Sequence, residues 1–117
     1  MKLNHINLTV SDVPAASKFL QKYFGCRSID ETEPDHKFAA LFDDDGMVIT
    51  LMTGGKVTEV KYPRTFHIGF AQESQARVNE IYQQLKDDGF DVAPPQQSHA
   101  WTFYVQAPGG FLVEVLC

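Results

Sequence analysis

The feature that most constrains this chain is an internal repeat of a single strand–helix–strand pattern. In the first copy, His5 lies 20 positions before Gly25, and in the second copy His67 lies 22 positions before Gly89. Each histidine stands in an alternating apolar–polar segment, and each glycine follows apolar residues at helical spacing. A repeat of one supersecondary unit predicts two similar modules that bury their apolar faces.

The two copies also agree in how they end. A glycine precedes Thr50 by four positions in the first copy and Glu114 by four positions in the second. Each half is therefore predicted to follow a βαβββ order, with module 1 at residues 1–52, a linker at 53–64 and module 2 at 65–117. Because each helical stripe needs a sheet face to cover it, we predict a single α+β domain. Its two βαβββ modules would form a curved mixed sheet around a cavity, with the helices on the outer face.

The strands are predicted from period-two alternation, in which successive side chains point to opposite faces. Ile6, Leu8 and Val10 form one apolar face of the first strand, so His5 belongs to the other face. Further strands are predicted at Arg27–Thr32, Lys37–Phe42, Met47–Met52, Thr65–Ala71, Trp101–Gln106 and Phe111–Leu116, with a short or edge strand near Pro94-Pro95.

Two helices are predicted from apolar stripes that have capping residues at both ends. Ser11-Asp12 offers an N-cap for the first helix, and Gly25 suits its C-terminal end. Ser74 offers an N-cap for the second helix, which Gly89 ends. Each helix therefore stands directly after the strand that carries one of the two repeated histidines.

Strand parity brings four matched positions to the concave face of the predicted sheet. If the apolar strand faces pack under the helices, His5 and His67 point into the opposite face, and the same rule sends Thr50 and Glu114 inward. Two imidazoles and one carboxylate with open coordination positions suit a divalent metal such as Zn²⁺, Fe²⁺, Mn²⁺, Co²⁺ or Ni²⁺. We therefore predict a metal site formed by His5, His67 and Glu114. A single strand histidine is more often structural, so this prediction depends on the repeat.

Further side chains on the predicted strands are expected to contact a small-molecule ligand in the cavity. These residues are Asn7, Thr50, Trp101, Thr102 and Tyr104. His36 and His99 are expected to lie in solvated loops, and no residue is assigned a catalytic role from the pattern alone.

Composition narrows the classes of partner. The chain has 117 residues and a formal net charge of −5, without a basic patch, which argues against nucleic acid or an anionic membrane as a partner. No apolar run is long enough for a membrane span, and no signal peptide is recognisable. Two cysteines, Cys26 and Cys117, are too few for a disulfide framework. We expect a cytoplasmic protein with both thiols reduced.

Short motifs at both ends of the chain resemble those of a known superfamily. They are Asn4-His5-Ile6, Ser11-Asp12, Phe19-Leu20 and Tyr23-Phe24-Gly25 near the start, and Phe103-Tyr104-Val105, Ala107-Pro108-Gly109-Gly110 and Leu112-Val113-Glu114 near the end. Together they resemble the vicinal oxygen chelate proteins, which comprise glyoxalases, bleomycin-resistance proteins and extradiol dioxygenases. The resemblance covers nearly the whole chain. It implies paired βαβββ modules and a homodimer, and it carries the metal ligands over to His5, His67 and Glu114.

The resemblance leaves more than one function open. The fourth ligand position of the family, often a glutamate in glyoxalase I, falls on Thr50, and the His/His/Glu set is closer to fosfomycin-modifying enzymes and extradiol dioxygenases. It implies a metal-dependent lyase, isomerase, transferase or dioxygenase that acts on a small substrate with vicinal oxygens. The alternative is a metal-free antibiotic-binding protein of the bleomycin-resistance type. A structural or regulatory protein with a vestigial site is a third possibility.

Overall fold

The protein was analysed as a computed structural model, which describes residues 1–29, 36–54 and 59–117. The predicted strand at Arg27–Thr32 and the predicted linker at 53–64 both extend into ranges outside the described residues. The helices are α1 (Val13–Phe24) and α2 (Gln75–Asp87), and the strands are β1 (His5–Thr9), β2 (Arg27–Ser28), β3 (Phe38–Phe42), β4 (Val48–Met52), β5 (His67–Ala71), β6 (Gln96–Gln97), β7 (Trp101–Gln106) and β8 (Leu112–Leu116).

The chain divides into two compact units. The first unit comprises Met1–Tyr62 and Pro108–Phe111, and the second comprises Pro63–Ala107 and Leu112–Cys117. The boundary between Tyr62 and Pro63 falls inside the predicted linker at 53–64. That the whole chain forms one domain stays a prediction.

Each unit contains a four-stranded mixed sheet with the same connectivity. The strand order is β1-β4-β3-β2 in the first unit and β5-β8-β7-β6 in the second. The first and last strands of each unit, β1 with β4 and β5 with β8, are parallel, and the remaining pairs are antiparallel. The predicted α+β class and the βαβββ order are confirmed. The prediction of one curved sheet differs from the structure, because hydrogen bonding in the described residues forms two sheets with β1 and β5 each at an edge.

The helices begin and end where the capping residues predicted. The Asp12 side chain accepts a hydrogen bond from the Ala15 backbone N–H at the start of α1, and Gly25 ends that helix in the left-handed conformation, with φ of 66°. The Ser74 hydroxyl accepts one from the Arg77 backbone N–H at the start of α2. In the described residues, no helix is long and apolar enough to cross a membrane.

Burial follows the predicted strand parity. Helix α1 packs on β3 and β4, and α2 packs on β7 and β8. In β8, Val113 and Val115 are fully buried on the side of the helix, as are Leu8 and Val10 in the first unit. The alternate side chains of the same strands therefore belong to the opposite face, where the candidate site lies.

Cys26 makes stability depend on alkaline pH. Burial, aided by the nearby negative charges of Asp43 and Asp44, raises the pKa of this thiol from 9.0 to about 11. Between these two values the unfolded chain loses the proton while the folded chain keeps it, so the folded state loses stability as pH rises through this window. We expect the loss to total about 2–3 kcal/mol by pH 11, measured by urea unfolding.

The exposed Cys117 supplies a matched control for this prediction. Cys26→Ala should remove that part of the alkaline loss, whereas Cys117→Ala should leave it in place. Equal pH dependence in wild type and Cys26→Ala, measured between pH 8 and 11, would contradict the role of the buried thiol.

Candidate functional site

Strand register confirms that the two units present equivalent positions. In the first unit Asn7 of β1 pairs with Thr50 of β4, and in the second unit Gly69 of β5 pairs with Glu114 of β8. Each repeated histidine stands two positions before the first member of its pair. The predicted matching of His5 with His67 and of Thr50 with Glu114 therefore holds at the level of backbone pairing.

Glu114 is a buried ionisable residue of the second unit. It is 5% exposed, and its Oε2 accepts hydrogen bonds from the Thr102 hydroxyl and from His99 Nε2, both at 2.7 Å. Burial by itself would raise the pKa of this carboxyl group. Hydrogen bonds from Thr102, Tyr104 and His99 outweigh burial, so the pKa of Glu114 lies below its usual range. The site therefore holds a buried carboxylate in its charged form.

His67 directs a ring nitrogen towards this carboxylate. Its Nδ1 lies 2.9 Å from the carbonyl oxygen of Thr65, and its Nε2 lies 3.5 Å from Oε1 of Glu114. A carbonyl oxygen can only accept, so Nδ1 carries the proton. In the neutral ring, Nε2 then presents a lone pair to the carboxylate oxygen. The ring of Tyr104 meets the His67 ring edge to face, with centroids 5.4 Å apart.

His5 has a comparable environment in the first unit. Its Nδ1 lies 3.0 Å from the side-chain oxygen Oδ1 of Asn4. An amide oxygen also accepts only, so the proton again lies on Nδ1 and Nε2 keeps its lone pair. Ligating histidines typically show this arrangement, because an acceptor on one nitrogen orients the other.

Thr50 and Asn7 form a polar pair in the first unit. The Thr50 hydroxyl lies 2.8 Å from Oδ1 of Asn7 and 3.4 Å from the carbonyl oxygen of Ile6. The hydroxyl proton serves these acceptors, and the Asn7 amide group keeps its N–H donors for other partners. The position that matches Glu114 is thus neutral.

A cavity of about 300 Å³ in the second unit adjoins the residues around Glu114. Its lining residues include Pro94, Ser98, Thr102, Phe103 and Tyr104. Burial and the neighbouring carboxylate raise the pKa of Tyr104, which keeps its hydroxyl protonated as a donor. The cavity therefore combines the aromatic ring of Tyr104 with hydroxyl groups beside a carboxylate.

Trp101 lies on a different face from the other predicted contact residues. Its indole N–H donates to Oδ1 of Asn79 on α2, at 2.8 Å. Alternation along β7 puts Thr102 and Tyr104 on the side of Glu114 and leaves Trp101 on the side of the helix. The sequence pattern did not decide the face of Trp101, and the structure places it opposite to Thr102 and Tyr104.

Sequence analysis placed His99 in a solvated loop and missed its contact with Glu114. The residue does lie in the connection between β6 and β7, and its side chain is 56% exposed. No local pattern identifies the contact, because 15 positions separate the two residues and the register of β7 against β8 brings them together. One signal does indicate the contact with Glu114. His99 stands two residues before β7, the strand that pairs with β8.

The pair formed by His67 and Glu114 fits a divalent ion in donor type and spacing. Two ligands about 2.1 Å from one ion lie about 3.4 Å apart at a tetrahedral angle, close to the observed 3.5 Å. In the part of the chain that the structure describes, no three His, Cys, Asp or Glu side chains form a group that could hold a metal. The structure therefore brings together two of the three predicted ligands.

Comparison with known families identifies the chain. The family model described as Glyoxalase/Bleomycin resistance protein/Dioxygenase superfamily matches residues 2–115. The chain belongs to this superfamily. Membership confirms the family resemblance predicted from the motifs. No curated protein matched the sequence.

Solved structures of the superfamily share the fold. A possible glyoxalase from Bacillus cereus is 51% identical, with a TM-score of 0.90, and the match covers 100% of this chain and 99% of that one. Lactoylglutathione lyase from Agrobacterium tumefaciens is 16% identical, with a TM-score of 0.75 and coverage of 98% and 92%. The fosfomycin resistance protein FosX from Listeria monocytogenes, in a complex with Mn(II) and sulfate, is 24% identical, with a TM-score of 0.77 and coverage of 99% and 89%. The latter two similarities establish the fold alone.

Proposed function

We propose that this protein is a divalent-metal-dependent enzyme that acts on a small substrate with two adjacent oxygens. The observation that carries the proposal is the His67–Glu114 pair, in which the ring nitrogen Nε2 and the carboxylate oxygen Oε1 lie 3.5 Å apart. A divalent ion at this position would supply Lewis-acid chemistry towards the oxygens of the substrate. The reaction class is a lyase, isomerase, transferase or dioxygenase reaction.

The proposed ligands are His67 and Glu114 of the second unit and His5 of the first. His5 is included because the strand register repeats and because an acceptor holds its Nδ1 as one holds that of His67. The FosX complex with Mn(II) shows that a protein of this fold binds a divalent ion. Each proposed ligand would present either a neutral ring nitrogen or a charged carboxylate oxygen, the forms that metals bind.

The remaining polar residues would bind and orient the substrate. The Tyr104 hydroxyl is a protonated donor beside Glu114, and it lines the cavity together with Ser98. Asn7 and Thr50 supply neutral polar groups at the matched position of the first unit. We propose that these residues select among substrates.

Metal analysis of the purified protein tests the proposal. We expect one Mn(II) or Co(II) per chain after chelator treatment and reloading, measured by mass spectrometry of the metal content. His67→Ala and His5→Ala should each weaken binding by more than about 100-fold, since loss of a ligand exceeds the effect of an outer-sphere contact. His36→Ala removes an exposed loop histidine and should leave binding unchanged.

Failure of wild-type protein to bind any divalent ion at micromolar concentration would overturn the proposal. Wild-type affinity in His67→Ala would exclude this residue as a ligand. If only His5→Ala kept full affinity, the ion would be held without the first unit.

A metal-free ligand-binding role is the second candidate function. It is favoured by the cavity of about 300 Å³ with Tyr104 among its lining residues, because such volumes suit small organic ligands. The net charge of −5 favours a cationic ligand. Calorimetry against cationic antibiotics in the presence of a chelator distinguishes the two functions. Absence of heat would remove this candidate. The homodimer and the cytoplasmic location stay predictions.

A further inference from the structure

We propose that His99 is a positioning residue that holds Glu114 as a one-oxygen ligand. With Thr102, it occupies Oε2 of the carboxylate and leaves Oε1 directed towards His67. This inference rests on the proposed metal-dependent function. It assigns a role to a residue that the repeat does not include, since His99 lies in the connection between β6 and β7.

The two oxygens of Glu114 have different surroundings. Oε2 lies 2.7 Å from both His99 Nε2 and the Thr102 hydroxyl. Oε1 lies 3.5 Å from His67 Nε2, and a Cβ added at the neighbouring Gly69 would lie in ordinary contact with Oε1, at 3.9 Å. His99 and Thr102 thus both engage Oε2, whereas Oε1 is the oxygen nearest to the His67 ring.

Opposite ring tautomers separate the roles of the two histidines. A carboxylate only accepts, so His99 Nε2 carries a proton, and its Nδ1 can accept from the Ser98 hydroxyl at 3.0 Å. His67 instead carries its proton on Nδ1, against the Thr65 carbonyl. The 2.7 Å contact of His99 is therefore a hydrogen bond, whereas the 3.5 Å contact of His67 fits two ligands that share an ion.

Thr102 alone does not hold Oε2 as firmly. Its single hydroxyl proton has two acceptors within reach, Oε2 of Glu114 at 2.7 Å and the Val115 carbonyl oxygen at 3.0 Å. Rotation of the hydroxyl can therefore release Oε2, and the carboxylate could then turn. The ring of His99 is oriented by Ser98, so its N–H has a fixed direction. This N–H prevents the carboxylate of Glu114 from turning.

Three variants test the role in the full chain, with Mn(II) and Co(II) as probes. His99→Ala should weaken the affinity for either ion by about 10–100-fold, and the absorption spectrum of the Co(II) form should change because the carboxylate can bind through both oxygens. His99→Gln keeps an N–H donor and should recover most of the affinity. His36→Ala, the matched change at an exposed loop histidine, should have no effect.

Pulsed electron paramagnetic resonance of the Mn(II) form distinguishes positioning from ligation. The number of histidine nitrogens coupled to the ion should be the same in wild type and His99→Ala. Loss of one coupled nitrogen would overturn the proposal by making His99 a ligand. Wild-type affinity together with an unchanged Co(II) spectrum in His99→Ala would overturn it as well.

Nitrogen NMR of the metal-free protein provides a readout that needs no bound ion. We expect the His99 ring to be protonated on Nε2 and the His67 ring on Nδ1. A His99 ring protonated on Nδ1 would overturn the positioning role. Failure of the proposed function is distinguishable from failure of the positioning role, because the wild-type protein itself would then bind no metal. That result would overturn the positioning role as well.

Discussion

Glu114→Gln is expected to lower the affinity for Co(II) by more than about 100-fold while the protein stays folded. The substitution keeps the shape of the side chain and removes its charge. In the wild type, His99 and Thr102 both donate hydrogen bonds to Oε2 of Glu114. The carboxamide oxygen of the variant can still accept both of them. The amide NH₂ group then takes the place of Oε1 and points at the lone pair on His67 Nε2, 3.5 Å away.

The variant would therefore replace the proposed ion by an N–H donor. Because each polar group of the site keeps a partner, we expect the free energy of unfolding of the metal-free protein to fall by only about 1–2 kcal/mol, as charged hydrogen bonds become neutral ones. Co(II) affinity is measured by titration of its visible absorption, and stability by urea unfolding in chelator.

Glu80→Gln makes the same chemical change at an exposed position. Glu80 pairs with Arg77 on the surface of α2, at 3.1 Å, and lies outside the candidate site. Its Co(II) affinity should equal that of the wild type. If Glu114→Gln also binds with wild-type affinity, Glu114 is not a ligand. If Glu114→Gln unfolds in chelator, the carboxylate has a structural role that the hydrogen bonds do not explain.

Phe111→Ala is expected to produce the largest loss of stability, about 3–5 kcal/mol. Among the described residues, Phe111 has the largest fully buried side chain, with no exposed surface. Its removal would leave a cavity whose surrounding atoms relax only in part. For a chain of this length, such a loss corresponds to a fall of about 10–20 °C in melting temperature. Calorimetry of the metal-free protein measures both quantities.

Phe38→Ala is the matched control, because it removes the same atoms from a side chain that is 44% exposed. It should cost about 1 kcal/mol or less, since little apolar surface returns to water. Equal losses in the two variants would show that burial of Phe111 does not determine its contribution.

Local patterns predicted the architecture closely. The caps at Asp12 and Ser74 determined the starts of both helices, because an N-cap side chain satisfies backbone donors within three residues of itself. Strand β7 was predicted with the observed bounds, and β3, β4 and β8 within one residue of them. The single curved sheet was not observed, since hydrogen bonding between distant strands has no local signature.

The candidate site was predicted in part. Alternation placed Glu114 correctly, because parity along a strand is a local property, and the repeat singled out His67. Trp101, Thr102 and Tyr104 were all predicted to contact the ligand, and the pattern did not decide which face of the strand Trp101 occupies. Both faces of β7 carry bulky residues, so alternation alone does not show which face packs against α2. The hydrogen bond from Trp101 to Asn79 of α2 shows it.

The sequence by itself determined the repeat, the βαβββ order and, in the second unit, the strand face that carries Glu114. These follow from spacing and alternation, which backbone geometry turns directly into direction. The tertiary structure alone decided which atoms meet. It set the 3.5 Å between His67 and Oε1 of Glu114, and it brought His99 onto Oε2 across 15 positions of chain. Those contacts depend on strand register and loop conformation, and both are settled only when the strands pair.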